Sequence, residues 1–349
     1  MNNGTSLDAN TIRLSIVIVS WNVAEYLVPC LTSLQEAHGA ALHPEIIVVD
    51  NGSSDRTVEL VRERFPEVIL LPLARNVGFA AASNIGIRHA TGDPILLLNP
   101  DTQVSVGCLA TCSEALQARP DVGLLGCKLL DRNGEIQYEC ASSEPSLLDA
   151  WIEAFYLHMI LPKSRICGRL RMSHWDHEDT RYVDRISGAF MMLKRAVVDD
   201  LGSLDENFFM YYEDLEYCAR AKRHGWKVLY LATATAVHYG GRSRAKSDAP
   251  FDGLAPEIRF TFFRDYRGPV VAHAFRALYA AQSMIRLWIA GCCKLALPRQ
   301  SPWRKRPVAK ASLHWARLKW SVGLSPSARK GAAPFAEYPV RASERAIEP

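Results

Sequence analysis

Residues 208–226, FFMYYEDLEYCARAKRHGW, set three carboxylates, Glu213, Asp214 and Glu216, against five aromatic or apolar residues and ahead of a basic stretch. A carboxylate beside an apolar wall is poorly solvated, which disfavours its charged form and makes it a better proton acceptor. Asp214 is the candidate general base, with Glu213 and Glu216 orienting the helix or a sugar. A simpler role is also open, because acids in the first turn of a helix complement the positive end of its dipole. That accounts for where the acids stand but not for the aromatic approach.

A second set of polar groups recurs after apolar runs: Trp21-Asn22, Asp50-Asn51-Gly52-Ser53-Ser54, Arg75-Asn76-Val77-Gly78-Phe79 and Asn99-Pro100-Asp101-Thr102. Asn-Gly is a strong hairpin signal, yet a helical pattern follows DNGSSD, so Asp50 is left at a strand tip. A carboxylate there suits the N–H of a pyrimidine or a ribose hydroxyl. In RNVGFAAASNIG, the small residues permit close backbone approach, and Arg75, Asn76 and Asn84 are donors for a phosphate or sugar. The same small residues also fit a helix packed on a sheet, which leaves Asn84 unexplained. Asp101 either caps a helix starting near Ser105 or holds a hard cation, which takes few protein carboxylates beside substrate phosphates. His238, followed by Gly240, Gly241, Arg242 and Ser243, is the best second ligand for Mn2+ or Mg2+.

These residues require elements that bring them to one edge. LSIVIVS (14–20), EIIVVD (45–50), VILLPL (68–73) and PILLLN (94–99) are near-continuous apolar strands, alternating with helical patterns at 23–37, 55–64 and 78–90. That is the signature of an α/β, doubly wound, mostly parallel sheet, in which ligands bind beyond the carboxyl ends of the strands. Further on, the patterns predict helices near 105–118 and 147–158 and strands at 122–130 and 183–187. They continue with a helix from Glu213 to Gly225, the strand WKVLYL (226–231) and a long helix over 269–297.

Taken together, SIVIVSWN, VVDNGSSD, RNVGFAAASNIGI, LLLNPDT, SGAFMMLKR, DENFFMYYEDLEYCARAKRHGW and AVHYGGRS resemble, in order over about residues 12–245, the inverting family 2 glycosyltransferases of GT-A fold, in their bacterial rhamnosyltransferase-like branch. The resemblance implies that Asp50 binds the nucleotide base and that Ser20, Asn22, Asn51, Ser53, Arg75, Asn76, Gly78, Phe79, Asn84, Asn99, Asp101 and Arg242 line the nucleotide-sugar site. It also implies that Asp101 and His238 hold a divalent cation, that Gly188, Ala189 and Phe190 lie beneath the acceptor, and that Asp214 deprotonates the acceptor hydroxyl. Where many relatives carry Asp-x-Asp, this chain has Asn99-Pro100-Asp101, one charge fewer. The implied reaction moves L-rhamnose from dTDP-rhamnose to a lipid-linked saccharide in cell-surface polysaccharide synthesis. Alternatives are a UDP-hexose donor on the same scaffold, or a silent nucleotide-sugar-binding subunit. A sugar-phosphate nucleotidyltransferase is disfavoured by the lack of a basic Gly-rich loop near the N-terminus.

Charge divides the 349 residues. From Tyr266 to Ala336 there are 13 Lys and Arg and no acid; with the net −1 of residues 337–349, a total of +4 leaves −8 on residues 1–265. The expected organisation is a disordered terminus (1–11), a transferase domain (12–250), a helical membrane-interface extension (251–300) and a basic, loosely ordered tail (301–349). The helix over 269–297, broken by Arg276, Arg286 and Lys294, is expected to lie in an anionic membrane surface with its bases snorkelling and Trp288 near the headgroups, while a core helix with a solvated tail is the other reading. The acidic body offers no basic groove for nucleic acid. Nine cysteines without a C-x-x-C pair, and no signal-peptide pattern, predict buried thiols on the cytoplasmic side of the membrane.

Overall fold

The computed structural model describes residues 13–37, 42, 44–240, 255–296, 298, 300, 301 and 310–324. It forms two compact units: residues 1–144 with 161–247, and residues 145–160 with 248–349. The segment 145–160, expected within the transferase domain, therefore groups with the C-terminal helices.

The first unit opens with β1 (Ser15–Ser20), α1 (Ala24–Ala37), β2 (Glu45–Asp50), α2 (Thr57–Arg64), β3 (Ile69–Pro72), α3 (Phe79–His89) and β4 (Ile95–Leu98). Strands β1 to β4 pair in parallel in the order β3-β2-β1-β4. The Ile, Val and Leu residues of β1, β2 and β4 fill the core, while Leu70 and Leu71 of the edge strand β3 pack against it half-buried; this is the reason for the unbroken apolar runs in the sequence. The strand order reverses between β1 and β4, so the crevice at their carboxyl ends is the topological switch point.

Beyond β4 the chain continues through β5 (Thr102–Val104), α4 (Cys108–Gln117) and β6 (Val122–Leu130), then the short strands β7 (Ala141–Ser142), β8 (Arg181–Tyr182) and β9 (Arg185–Ile186). The unit closes with β10 (Phe190–Leu193), α7 (Arg195–Leu201), α8 (Glu213–Arg223) and β11 (Lys227–His238); α5 (Leu147–Ala154) and α6 (Leu157–Ile160), which intervene in the chain, belong to the second unit. Strand β10 runs antiparallel between β4 and β6, while β11 runs parallel to β6 and antiparallel to β5. The strand expected at 226–231 thus extends to His238, and β5 pairs His238 with Thr102. That register sets His238 beside the residue preceding β5, Asp101.

The second unit adds α9 (Ala255–Arg267), α10 (Pro269–Ala296) and α11 (Ala311–Ser321). Helix α11 lies in the tail expected to be loosely ordered; it packs on α10 through a Tyr279–Trp320 contact. The bases expected to snorkel do other work: Arg276 donates to the carbonyls of Trp320 and Ser321 at the end of α11, and Arg286 to that of Ala154 at the end of α5. Both meet carbonyls in the last turn of a helix, where intrahelical partners run out. All nine cysteines are unpaired thiols, and six are buried as expected, but Cys167 and Cys293 are half-buried and Cys292 on α10 is exposed.

Candidate active site

Strand tips β1 and β2 lie in register, Ser20 opposite Asp50. Both residues are buried, and the Ser20 Oγ and Asp50 Oδ1 atoms have no hydrogen-bond partner. A buried oxygen without a partner costs free energy, so two at neighbouring tips mark where a ligand's donors fit. The other Asp50 oxygen accepts from the Ser53 N–H at 3.1 Å. Around them the loops tie one another down. The Asn22 backbone N–H donates to Ser53 Oγ (2.9 Å), and its side-chain oxygen accepts from the Ser54 N–H (2.8 Å). Asn51 bridges the loops after β2 and β3, donating to Asn76 Oδ1 and the Gly78 carbonyl and accepting from the Val77 N–H. Asn51 and Asn76 therefore shape the crevice from behind.

Close packing explains the glycines here. Gly52 has φ +75°, and a Cβ on it would lie 2.7 Å from the Arg75 carbonyl carbon, so the loops after β2 and β3 touch backbone to backbone. Gly78, at φ +93°, supports Phe209 of the aromatic run, whose carbonyl accepts from the Phe79 N–H at 2.6 Å. Arg75 is exposed on the same loop. Asn84, expected to face a sugar or phosphate, has a different place: buried on α3, it donates to the Leu204 carbonyl and Glu206 and accepts from the Leu204 N–H. Its amide pins the loop before the aromatic run, which leaves no donor for a ligand.

The third group surrounds Asp101. Its Oδ1 lies 3.3 Å from His238 Nε2, and both side chains are largely buried. Asn99 Nδ2 stands 3.4 Å from the same ring nitrogen. The far ring nitrogen, Nδ1, lies 2.8 Å from Gln137 Oε1. An imidazole nitrogen and a carboxylate oxygen converging from two strands form a donor pair that suits Mn2+, and the phosphate oxygens of a diphosphate would complete its shell. No cluster of three or more His, Cys, Asp or Glu ligands exists among the described residues, in keeping with the single acid of Asn99-Pro100-Asp101. Arg242 lies outside the described residues.

The acids that open the sequence argument separate into distinct environments at the start of α8. Asp214 is held by three donors: Arg185 (2.5 Å) and the Gly188 N–H (3.1 Å) on Oδ2, and the Leu215 N–H (2.7 Å) on Oδ1. Glu213 is the acid on which burial acts: desolvation, then the charge of Asp214, pushes its pKa up to about 8, and its Oε2 has no hydrogen-bond partner. Burial thus acts on Glu213, the neighbour of the residue that the sequence names as candidate base. Glu216 pairs with Arg220, which ties α8 to the carbonyls of Leu201 and Ser203. Tyr211 and Tyr212 both adopt left-handed backbone (φ 70° and 71°), a strained turn that swings the acids toward Gly188.

Of the three residues expected under an acceptor, only Gly188 borders the acids, 3.6 Å from Asp214 Cβ to a Cβ built on it. Ala189 instead uses its carbonyl to accept from the Asn99 N–H, and Phe190 is 1% exposed within the core. Sequence reasoning missed Arg185 and Gln137. Arg185 is legible as the lone base in VDRISGAF, next to a quoted motif; Gln137 stands in irregular chain and carries no comparable signal.

Residues 15–202 match the model of Glycosyl transferase family 2. The chain is 28% identical over 263 residues, 72% of its length and 84% of the relative's, to an N-acetylglucosaminyl-diphospho-decaprenol L-rhamnosyltransferase of Mycobacterium tuberculosis. It is 26% identical over 234 residues to the rhamnosyltransferase WbbL of Escherichia coli, covering 64% of this chain and 82% of that one. Among solved structures, GalNAc-T7 with UDP, GalNAc and Mn2+ superposes with a TM-score of 0.54 at 15% identity, over 89% of this chain and 56% of the other. At that identity the likeness is one of fold.

Proposed function

The chain belongs to glycosyl transferase family 2, and we propose that it transfers L-rhamnose from dTDP-rhamnose, with inversion, to a hydroxyl of a lipid-linked saccharide held at a membrane surface. The observation that carries this reading is the arrangement at one sheet edge: unpartnered oxygens on Ser20 and Asp50 for a base, the Asp101–His238 pair for a cation on the diphosphate, and Asp214 beside Gly188. The choice of sugar and acceptor follows the printed names of the relatives.

Transfer makes negative charge grow on the leaving diphosphate while a proton leaves the attacking hydroxyl. A divalent cation between Asp101 and His238 would supply charge stabilisation at the diphosphate. Two adjacent carboxyls do not both ionise cheaply in a buried site. Arg185 and the Gly188 N–H place the charge of the pair on Asp214, and Glu213 keeps its proton. Asp214 is then the member able to accept the hydroxyl proton, and the attack needs no enzyme nucleophile.

Helix α10 supplies the membrane side of the proposal. Met284, Trp288 (71% exposed) and Leu295 (90% exposed) recur along it at helical spacing, and Trp151, Met159 and Ile160 are exposed on α5 and α6. No helix among the described residues is long and apolar enough to cross a membrane. Exposed apolar side chains in a segment whose only charges are basic suit the interface of an anionic bilayer.

The test is a panel of dTDP-rhamnose, UDP-glucose, UDP-galactose and UDP-GlcNAc, read by thermal shift and by turnover with and without Mn2+. Stabilisation by dTDP-rhamnose alone, lost in Asp50→Ala, supports the reading. Preference for a UDP-hexose moves the donor but keeps the fold and mechanism; binding of none of them refutes the transferase assignment of this site.

A further inference from the structure

Gln137 stands outside every motif, yet it grips His238 at two points. Its Nε2 donates to the His238 backbone carbonyl at 2.6 Å, and its Oε1 lies 2.8 Å from the ring Nδ1. A carbonyl oxygen only accepts, so the amide nitrogen must face it and the amide oxygen must face the ring. Nδ1 is then the ring donor, and in the neutral imidazole Nε2 carries a bare lone pair. That lone pair accepts from Asn99 Nδ2 at 3.4 Å and lies 3.3 Å from Asp101 Oδ1. Two lone pairs at that separation repel unless a positive centre lies between them. In the opposite tautomer Nε2–H would donate to Asp101 and close the gap.

The backbone fixes Gln137 in its turn. A tight turn at 131–135, closed by the Asp131 N–H on the Glu135 carbonyl and with Gly134 at φ +81°, returns the chain to the edge of β6. There the Gln137 N–H donates to the Leu129 carbonyl at 2.9 Å, and the Gln137 carbonyl accepts from Cys140. The side chain therefore leaves from a position held on both sides.

We propose that Gln137 is a positioning residue: by holding the His238 ring through Nδ1, it keeps the Nε2 lone pair turned toward Asp101, so that the two serve as paired donors for the divalent cation of the nucleotide-sugar donor. This rests on the cation reading given above. Outer partners of this kind orient a ligating imidazole and raise its donor strength, and their loss weakens metal affinity by about 10- to 100-fold.

The experiment uses the full chain, with Mn2+ affinity in the presence of dTDP read by electron paramagnetic resonance and the His238 tautomer read from ring-nitrogen shifts of protein labelled at histidine. The wild-type ring is expected to be protonated at Nδ1 without metal. Gln137→Met, which keeps the length but loses both hydrogen bonds, is expected to weaken Mn2+ binding by about 10- to 100-fold. Gln137→Glu keeps an acceptor for Nδ1–H but loses the bond to the His238 carbonyl, and is expected to weaken binding less than Gln137→Met does. The proposal is overturned by a wild-type ring protonated at Nε2, or by equal losses in the two variants. Weakening in Asp101→Ala without weakening in Gln137→Met refutes the role of Gln137 alone. Unchanged affinity in both Asp101→Ala and Gln137→Met refutes the cation site itself.

Discussion

Arg185 and Asp214 form an ion pair at 2.5 Å, joined on the same carboxylate oxygen by the Gly188 N–H. The pair assigns the two adjacent acids to different jobs, because these donors gather on Asp214 and leave Glu213 to burial and to the charge of its neighbour. Asp214→Asn is expected to lower kcat by about 10²- to 10⁴-fold, the range for loss of a general base, while dTDP-rhamnose still stabilises the protein. Glu213→Gln resembles the protonated acid and is expected to retain most turnover. The reverse pattern, with Glu213→Gln inactive and Asp214→Asn active, would transfer the role of base to Glu213.

The same contrast predicts a pH dependence of stability. Glu213 is raised from 4.5 to about 8 in the folded chain, by burial first and by the charge of Asp214 second. Between those values the folded state holds a proton that the unfolded state has released, so stability falls as pH rises through that window. The contribution is fully present below about 4.5 and lost above about 8. Glu213→Gln should flatten this slope, so its melting temperature should exceed that of wild type at pH 9 by more than it does at pH 5. Parallel curves for the two proteins across pH 5–9 would contradict the placement of the proton.

Asn84 offers a test without substrate. Asn84→Ala strands the buried N–H and carbonyl of Leu204, at a cost of about 1–3 kcal/mol. Urea unfolding should show that loss, and turnover should fall with it because the Leu204 loop leads into the aromatic run. Donor affinity lost without a change in stability would mean that Asn84 meets the ligand.

Vesicle co-sedimentation tests the surface of α10. The chain should bind phosphatidylglycerol vesicles more tightly than phosphatidylcholine ones, with an affinity that falls as salt rises. Replacing Met284, Trp288 and Leu295 together by Ser should abolish pelleting while leaving dTDP-rhamnose binding intact. Undiminished pelleting of the triple variant would remove this helix from the membrane contact.

What could be read from residue order alone follows a physical division. Strands β1 to β4 are apolar on both faces and lie one after another along the chain, so both their existence and their polar tips are legible, Asp50 and Asp101 included. Strand β5 has three residues and β10 four, too few for a period to show, and their meaning lies in partners far along the chain. Without β5 no periodicity places His238 next to Asp101, and the two are linked in the sequence by the chemistry of their side chains and by the family resemblance. Asn84 and Phe190 were misread for the opposite reason: each stands in a stretch rich in site residues, and only the tertiary packing shows one clamping a loop and the other filling the core. The helix in the tail, α11, was hidden by its basic composition, which resembles that of a solvated segment until Trp320 is seen against Tyr279.

Strand β10 has a neighbour on each edge, so its amides are expected to exchange with deuterated solvent more slowly than those of the surrounding loops. Gly188 stands two residues ahead of that strand, and Asp214 is bonded to it. The wall that carries the acids is therefore tied to the middle of the sheet. Evolutionary retuning toward a new donor would fall instead to the loops after β1, β2 and β3, which can be redrawn by changing side chains such as Asn22 and Asn51 without rebuilding the sheet.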